Sequence, residues 1–186
     1  MNELERLVYR HKVFVSYHHA NDQGYRNFFE AMFTVLSNVL VTKSVQIGEL
    51  SPLLSDDYVR QKIRDDYLRD STVTVVLVGT QTWQRKHVDW EISSSIRQTQ
   101  HSSRSGLLGI LLPTHPSFST PQYDEGLVPP RLAYNVRCGF ARMYKWSNNA
   151  GEVRQWIHAA FEQRNQVEPD NAYPHFVNDR FAARWQ

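Results

Sequence analysis

Residues 71–79 read STVTVVLVG, and this stretch decides the fold. Val73, Val75, Val76 and Val78 are β-branched, which favours an extended strand over a helix. Apolar side chains fall on both faces, so the strand Ser71–Gly79 is expected at the centre of a sheet, where no wet edge exposes it to aggregation. Upstream, Lys12–Tyr17 repeats the pattern in Val13, Phe14 and Val15. Downstream, Leu107–Leu112 is a third buried strand, ended by Pro113.

Working outward from these runs, helices alternate with strands. Tyr25 to about Leu40 carries Phe28, Phe29, Met32, Val35, Leu36 and Val39 at helical spacing. Lys43–Gly48 is a short strand candidate, followed by a loop that Gly48 and Pro52 interrupt. Ser55 is placed to cap a helix running to about Arg69, with Asp56 and Asp57 in its first turn. Asp89 to about Thr99 is expected to be a helix with Val88, Ile92 and Ile96 inward. Residues 113–137 are expected to hold little regular structure, with Pro116, Pro121, Pro129 and Pro130 inside the segment and Pro113 at its border. A last strand at Phe140–Trp146 and a last helix at Gly151–Arg164 follow, the helix with Trp156 inward. The tail, 166–186, holds Tyr173, Phe176, Val177, Phe181 and Trp185, which are expected to pack on something. This order points to one domain over 1–186: a parallel sheet covered on both faces.

Composition narrows the functional classes. Twenty-one basic residues against 19 acidic leave a formal charge of +2, without the clustered basic excess of a nucleic-acid protein. Cys138 is the sole cysteine, so no intrachain disulfide or cysteine-based zinc cluster can form, and a buried inert thiol is expected. Apolar runs are too short to span a bilayer, and the amino terminus lacks the apolar core of a signal peptide. A soluble cytoplasmic protein is the expectation.

In an open parallel sheet, ligands bind beyond the carboxyl ends of the strands. That rule selects 16–22, 48–55, 79–90 and 114–134. The first of these holds Ser16, Tyr17, His18, His19, Asn21 and Asp22, a dense set of polar and aromatic groups. Asn21 and Asp22 read as helix caps as readily as ligand contacts. No G-x-G-x-x-G follows the first strand, and no P-loop, G-x-S-x-G elbow or H-E-x-x-H occurs. Kinase, GTPase, nicotinamide-dehydrogenase and serine-hydrolase readings lose their support. Glu91, near the start of the helix after the central strand, reads either as a carboxylate favoured by the helix dipole or as a group stabilising a cationic transition state.

Three segments carry a resemblance. KVFVSY at 12–17 is similar to the first strand motif of the TIR superfamily. STVTVVLVGTQTW at 71–83 with VDWEI at 88–92 is similar to its central strand and catalytic helix, and MYKW at 143–146 is a fainter echo of its late aromatic motif. Within the superfamily, the chain most resembles the TIR-like proteins of the bacterial Thoeris anti-phage system. The resemblance implies a flavodoxin-like three-layer α/β fold with a central parallel sheet of about five strands. It also implies cleavage of the nicotinamide–ribose bond of NAD+, a substrate here, with Glu91 catalytic and no cofactor or metal required. Ser16, Tyr17, His18, His19, Asp22, Gly48 and Trp83 would line the nucleotide site, with Tyr17 and Trp83 helping to fold the adenine back for cyclisation. The product would be a cyclic or modified ADP-ribose read by a separate effector, under a phage-derived trigger and with self-association. The Arg-Asp-x-x-Pro-Gly pattern of receptor-type TIR loops is absent, which fits the Thoeris branch better. Two other readings stand beside this one: a non-catalytic interaction module whose tail docks a partner, and a sensor of ADP-ribose-type nucleotides.

Overall fold

The computed structural model describes residues 11–34, 39–41, 55–99 and 103–185. Its elements in chain order are β1 (His11–Ser16), α1 (His19–Thr34), β2 (Val39–Val41), α2 (Asp56–Lys62), β3 (Val73–Val78), α3 (Lys86–Ser95), β4 (Gly106–Leu111), α4 (Pro130–Arg137), β5 (Ala141–Lys145) and α5 (Ala150–Gln163). All strand pairs are parallel, in the order β2-β1-β3-β4-β5. Four strands have five or six residues, and the edge strand β2 has three.

β3 is central, as its composition requires, and every residue of it is buried. The two-residue period of a strand divides its side chains between layers. Val73, Val75 and Leu77 join Val13, Val15 and Tyr17 of the β1 segment beneath α1 and α5. Val76 and Val78 face α3 and α4 on the opposite side. Phe14 packs there with Val59, Ile63, Leu68 and Trp90. Ser16 shares Phe14's parity, so it also points to the α3 side.

Local chemistry sets most boundaries. Ser55 Oγ accepts Tyr58 N–H at the start of α2, as its sequence position suggests. Residues 63–68 continue α2 as a π-helix, whose wider turn buries Ile63 and Leu68 and leaves Tyr67 at the margin. Asn149 caps α5. α5 buries Val153, Ile157 and Ala160, while Trp156 lies at the core margin, stacked on Tyr144 with ring centroids 4.3 Å apart.

Several expectations are corrected. α1 begins at His19, not Tyr25, and is described as far as Thr34, with Phe28 half exposed; Val35 and Leu36 lie outside the described residues. Val39, expected on that helix, begins β2, because parallel pairing with His11 satisfies its backbone. The expected strand 43–48, with Gly48 and its loop, lies outside the described residues. Segment 113–137 is more regular than its prolines suggested. Proline is tolerated at a helix start, and α4 opens at Pro130; Gly139, at φ 84°, follows its C-cap. Cys138 is exposed at that helix end. In the tail, Phe176 is buried but Val177 and Phe181 are not. Among the described residues, no helix is long and apolar enough to cross a membrane.

Candidate active site

The carboxyl ends of β1 and β3 meet the first turns of α1 and α3. Glu91 stands at that junction, on the second turn of α3, with no solvent exposure. Its Oε2 accepts the Ser16 hydroxyl at 2.5 Å, a contact that strand parity makes possible, while Oε1 has no hydrogen-bond partner. Burial raises its pKa to about 8, and the Ser16 bond partly opposes that rise. The carboxyl is therefore mostly neutral at pH 7.

His87 lies one helical turn earlier, on the same face of α3. Its Nε2 is 3.1 Å from the Tyr17 carbonyl. Two successive residues of the first strand segment, Ser16 and Tyr17, are thus held by two successive turns of α3. The Tyr17 ring stacks on His19, with centroids 4.3 Å apart, and His19 meets His87 edge to face. The Tyr17 hydroxyl donates to Gln23 Oε1 at 2.6 Å.

His18 Nδ1 and His19 Nε2 are buried without partners. Burial first, and neighbouring positive charge second, lowers the pKa of each imidazole to about 4. His87 is lowered too, chiefly by burial. The three rings are neutral at pH 7, a rim that can stack and hydrogen-bond without repelling a cation.

Asp22 sits in the first turn of α1, buried rather than capping it. Its carboxylate packs on Gly79, where a Cβ would come within 2.5 Å of both oxygens. The Thr82 hydroxyl accepts Gly79 N–H at 2.8 Å and faces Asp22 Oδ2 and the Leu77 carbonyl, each at 3.3 Å. Asp22 Oδ1 is unpaired, and burial raises the group's pKa to about 6. Trp83 follows in a short 3-10 turn and is buried. Ser16, Tyr17, His18, His19, Asp22 and Glu91 therefore converge at one edge; Gly48 lies outside the described residues. Four buried polar atoms without partners, on His18, His19, Asp22 and Glu91, concentrate there, and orphaned groups of this kind are costly unless a ligand uses them. Among the described residues, no group of three His, Cys, Asp or Glu side chains is placed to hold a metal ion.

Sequence reasoning missed His87, Thr82 and a buried ion pair behind α3. Arg131 Nε donates to Asp89 Oδ1 at 3.0 Å, and both side chains are almost wholly enclosed. Helical spacing from Glu91 was the available signal for His87. For Arg131 there was none, because its partner lies on another helix.

The five-stranded parallel sheet with helices on both faces is a doubly wound α/β fold, with Glu91 buried at the strand ends. The family model described as "Thoeris protein ThsB, TIR-like domain" matches residues 14–117, more than half of the chain, and the chain belongs to that family. No curated protein matches it. Among solved structures, the TIR domains of "Structure of the activated Roq1 resistosome directly recognizing the pathogen effector XopQ" align over 83% of this chain and 84% of that one, at 14% identity and a TM-score of 0.37. A superposition that loose carries no weight for function.

Proposed function

We propose that this protein cleaves the nicotinamide–ribose bond of NAD+ and releases an ADP-ribose product, cyclic or otherwise modified, that serves as a signal in anti-phage defence. The observation that carries the proposal is Glu91. It is a fully enclosed carboxyl with one oxygen held by Ser16 and the other unpaired, at the strand ends where this fold class binds ligands.

As nicotinamide leaves, positive charge develops on the ribose. A fixed carboxylate in a water-poor site stabilises that charge more than water does. Glu91 acts in its ionised form, and the approach of a cationic pyridinium offsets the desolvation that otherwise favours the neutral carboxyl. Ser16 orients the carboxylate. The neutral imidazoles of His18, His19 and His87 border the site without opposing the cation. Cyclisation in place of hydrolysis is a matter of holding the adenine near the anomeric carbon.

Incubating purified protein with NAD+ and following nicotinamide by chromatography tests the proposal. Glu91→Gln is expected to lower the rate at least ~100-fold, the usual order for removing one preorganised electrostatic group. Nicotinamide release by a folded Glu91→Gln protein at the wild-type rate would overturn the role given to Glu91. A nucleotide sensor would instead bind ADP-ribose and release no nicotinamide.

A further inference from the structure

The tail crosses the outer face of α3. Asn171 Oδ1 and the Asn171 and Tyr173 carbonyls accept from Arg131 at 2.6–3.0 Å, and Asn171 Nδ2 donates to the Ser93 carbonyl at 3.1 Å. His175 Nε2 is 2.8 Å from Ser93 Oγ. Phe176 N–H donates to Asp89 Oδ2 at 3.0 Å, and its carbonyl accepts Trp90 Nε1–H at 2.9 Å. Asp179 then closes the helix start: Oδ1 accepts Lys86 N–H at 2.7 Å, and Oδ2 pairs with Arg85 at 3.0 Å. Arg180 N–H donates to the Gln84 carbonyl, and Gln84 donates to the Ala182 carbonyl. The chain end returns to 124–126 through Arg184 and Trp185.

These tethers fall on Lys86, Asp89, Trp90 and Ser93, one face of α3 by helical spacing. Glu91 and His87 occupy another face, pressed on Ser16 and Tyr17. Moving the first turns of α3 away from the end of β1 parts Glu91 from Ser16 and opens the enclosed carboxyl to a dinucleotide. The tail fastens those turns from behind, and the Asp179 charge acts on both His18 and His87 at the mouth of the site. The strap also carries Val177 and Phe181, two apolar side chains with 70% and 84% exposure, which offer a grip from solvent.

We infer that residues 175–185 form an autoinhibitory strap: while docked they hold α3 shut over Glu91, and their release opens the site. This inference rests on the NAD+ reading for its biological meaning, but its physical content can be tested without NAD+. Arg131 and the 170–174 segment form the fixed root, and the buried Asp89–Arg131 pair is the pivot about which the first turns of α3 swing when the strap is released.

The test uses the full chain carrying Cys138→Ser and Ser16→Cys, so that thiol labelling reports solvent access to the floor of the site. Adding Asp179→Ala, which removes the helix-start cap and the Arg85 pair, is expected to speed labelling by about tenfold, the effect of losing one cap. A second protein ending at Pro174 keeps the root and is expected to label faster still, its fold checked by near-UV circular dichroism. Labelling of Asp179→Ala at the parent rate overturns the inference, whether or not the truncated protein folds. Nicotinamide release is then measured in Asp179→Ala with Ser16 intact. Faster labelling with faster release supports both readings. Faster labelling with no nicotinamide from any variant leaves the strap standing and removes the NAD+ reading.

Discussion

A carboxyl group without solvent contact ionises only at a free-energy cost, and Glu91 concentrates that cost at one position. Its folded-state pKa of about 8 lies above the ordinary 4.5. Its contribution to stability is therefore complete below pH 4.5 and is lost as pH rises through 8. Glu91→Gln cannot ionise, so it is expected to melt above the wild type at pH 9, by a margin on the order of a few kcal/mol. The gap should close toward pH 4.5 in calorimetric scans. Loss of activity together with a gain in stability separates a functional residue from a structural one. Ser16 gives a second handle. Its hydroxyl favours the carboxylate, so Ser16→Ala raises the pKa further, and the rising limb of the pH profile for nicotinamide release should move to higher pH. The position of Glu91 after the central strand was legible in the sequence. Its complete enclosure was not, because enclosure depends on Ser16, 75 residues away.

At the scale of elements, α3 differs most from its sequence reading. Apolar spacing correctly placed Val88, Ile92 and Ile96 inward. The helix nonetheless begins at Lys86, three residues before the expected Asp89, and no local side chain caps it. Asp179, 93 residues onward, supplies the acceptor. Asp89, expected to open the helix, lies in its first turn and is the partner of Arg131 and of Phe176 N–H. Asp89→Ala strands a buried guanidinium that keeps only carbonyl and amide acceptors, and breaking such a pair costs ~3 kcal/mol. Urea denaturation should show that loss as a lower midpoint with an unchanged slope. α4 teaches the opposite lesson. Its prolines were read as breakers, yet Pro130 stands where a helix tolerates one.

For the whole molecule, pH sets two opposing trends. Glu91 and Asp22 have raised pKa values, so acidification strengthens the fold as each retains its proton. His11, His18 and His19 are held at about 4, below the ordinary 6.5, and His87, His115 and His175 are lowered as well, each chiefly by burial. Their contribution is present above pH 6.5 and is lost as pH falls through their folded-state values. Between pH 8 and 6.5 the carboxyl groups dominate; below 6.5 the more numerous imidazoles do. Thermal stability is expected to peak near pH 6.5 and to fall toward both pH 4 and pH 9, as a melting series across that range would show. A monotonic rise from pH 4 to 9 would contradict the burial assigned to Glu91.

The sequence by itself determined the alternation of strands and helices, the central place of STVTVVLVG, the inward faces of α3 and α5, and the place of Glu91 on the helix after the central strand. Each follows from a period of two or 3.6 residues or from β-branched crowding, signals that act within one element. Only the tertiary structure decided that Glu91 is enclosed, that Asp89 pairs with Arg131, that Asp179 starts α3, and that the tail lies across it. Those contacts join residues 42 to 93 positions apart. Their geometry depends on how layers stack on the sheet, which no local pattern encodes.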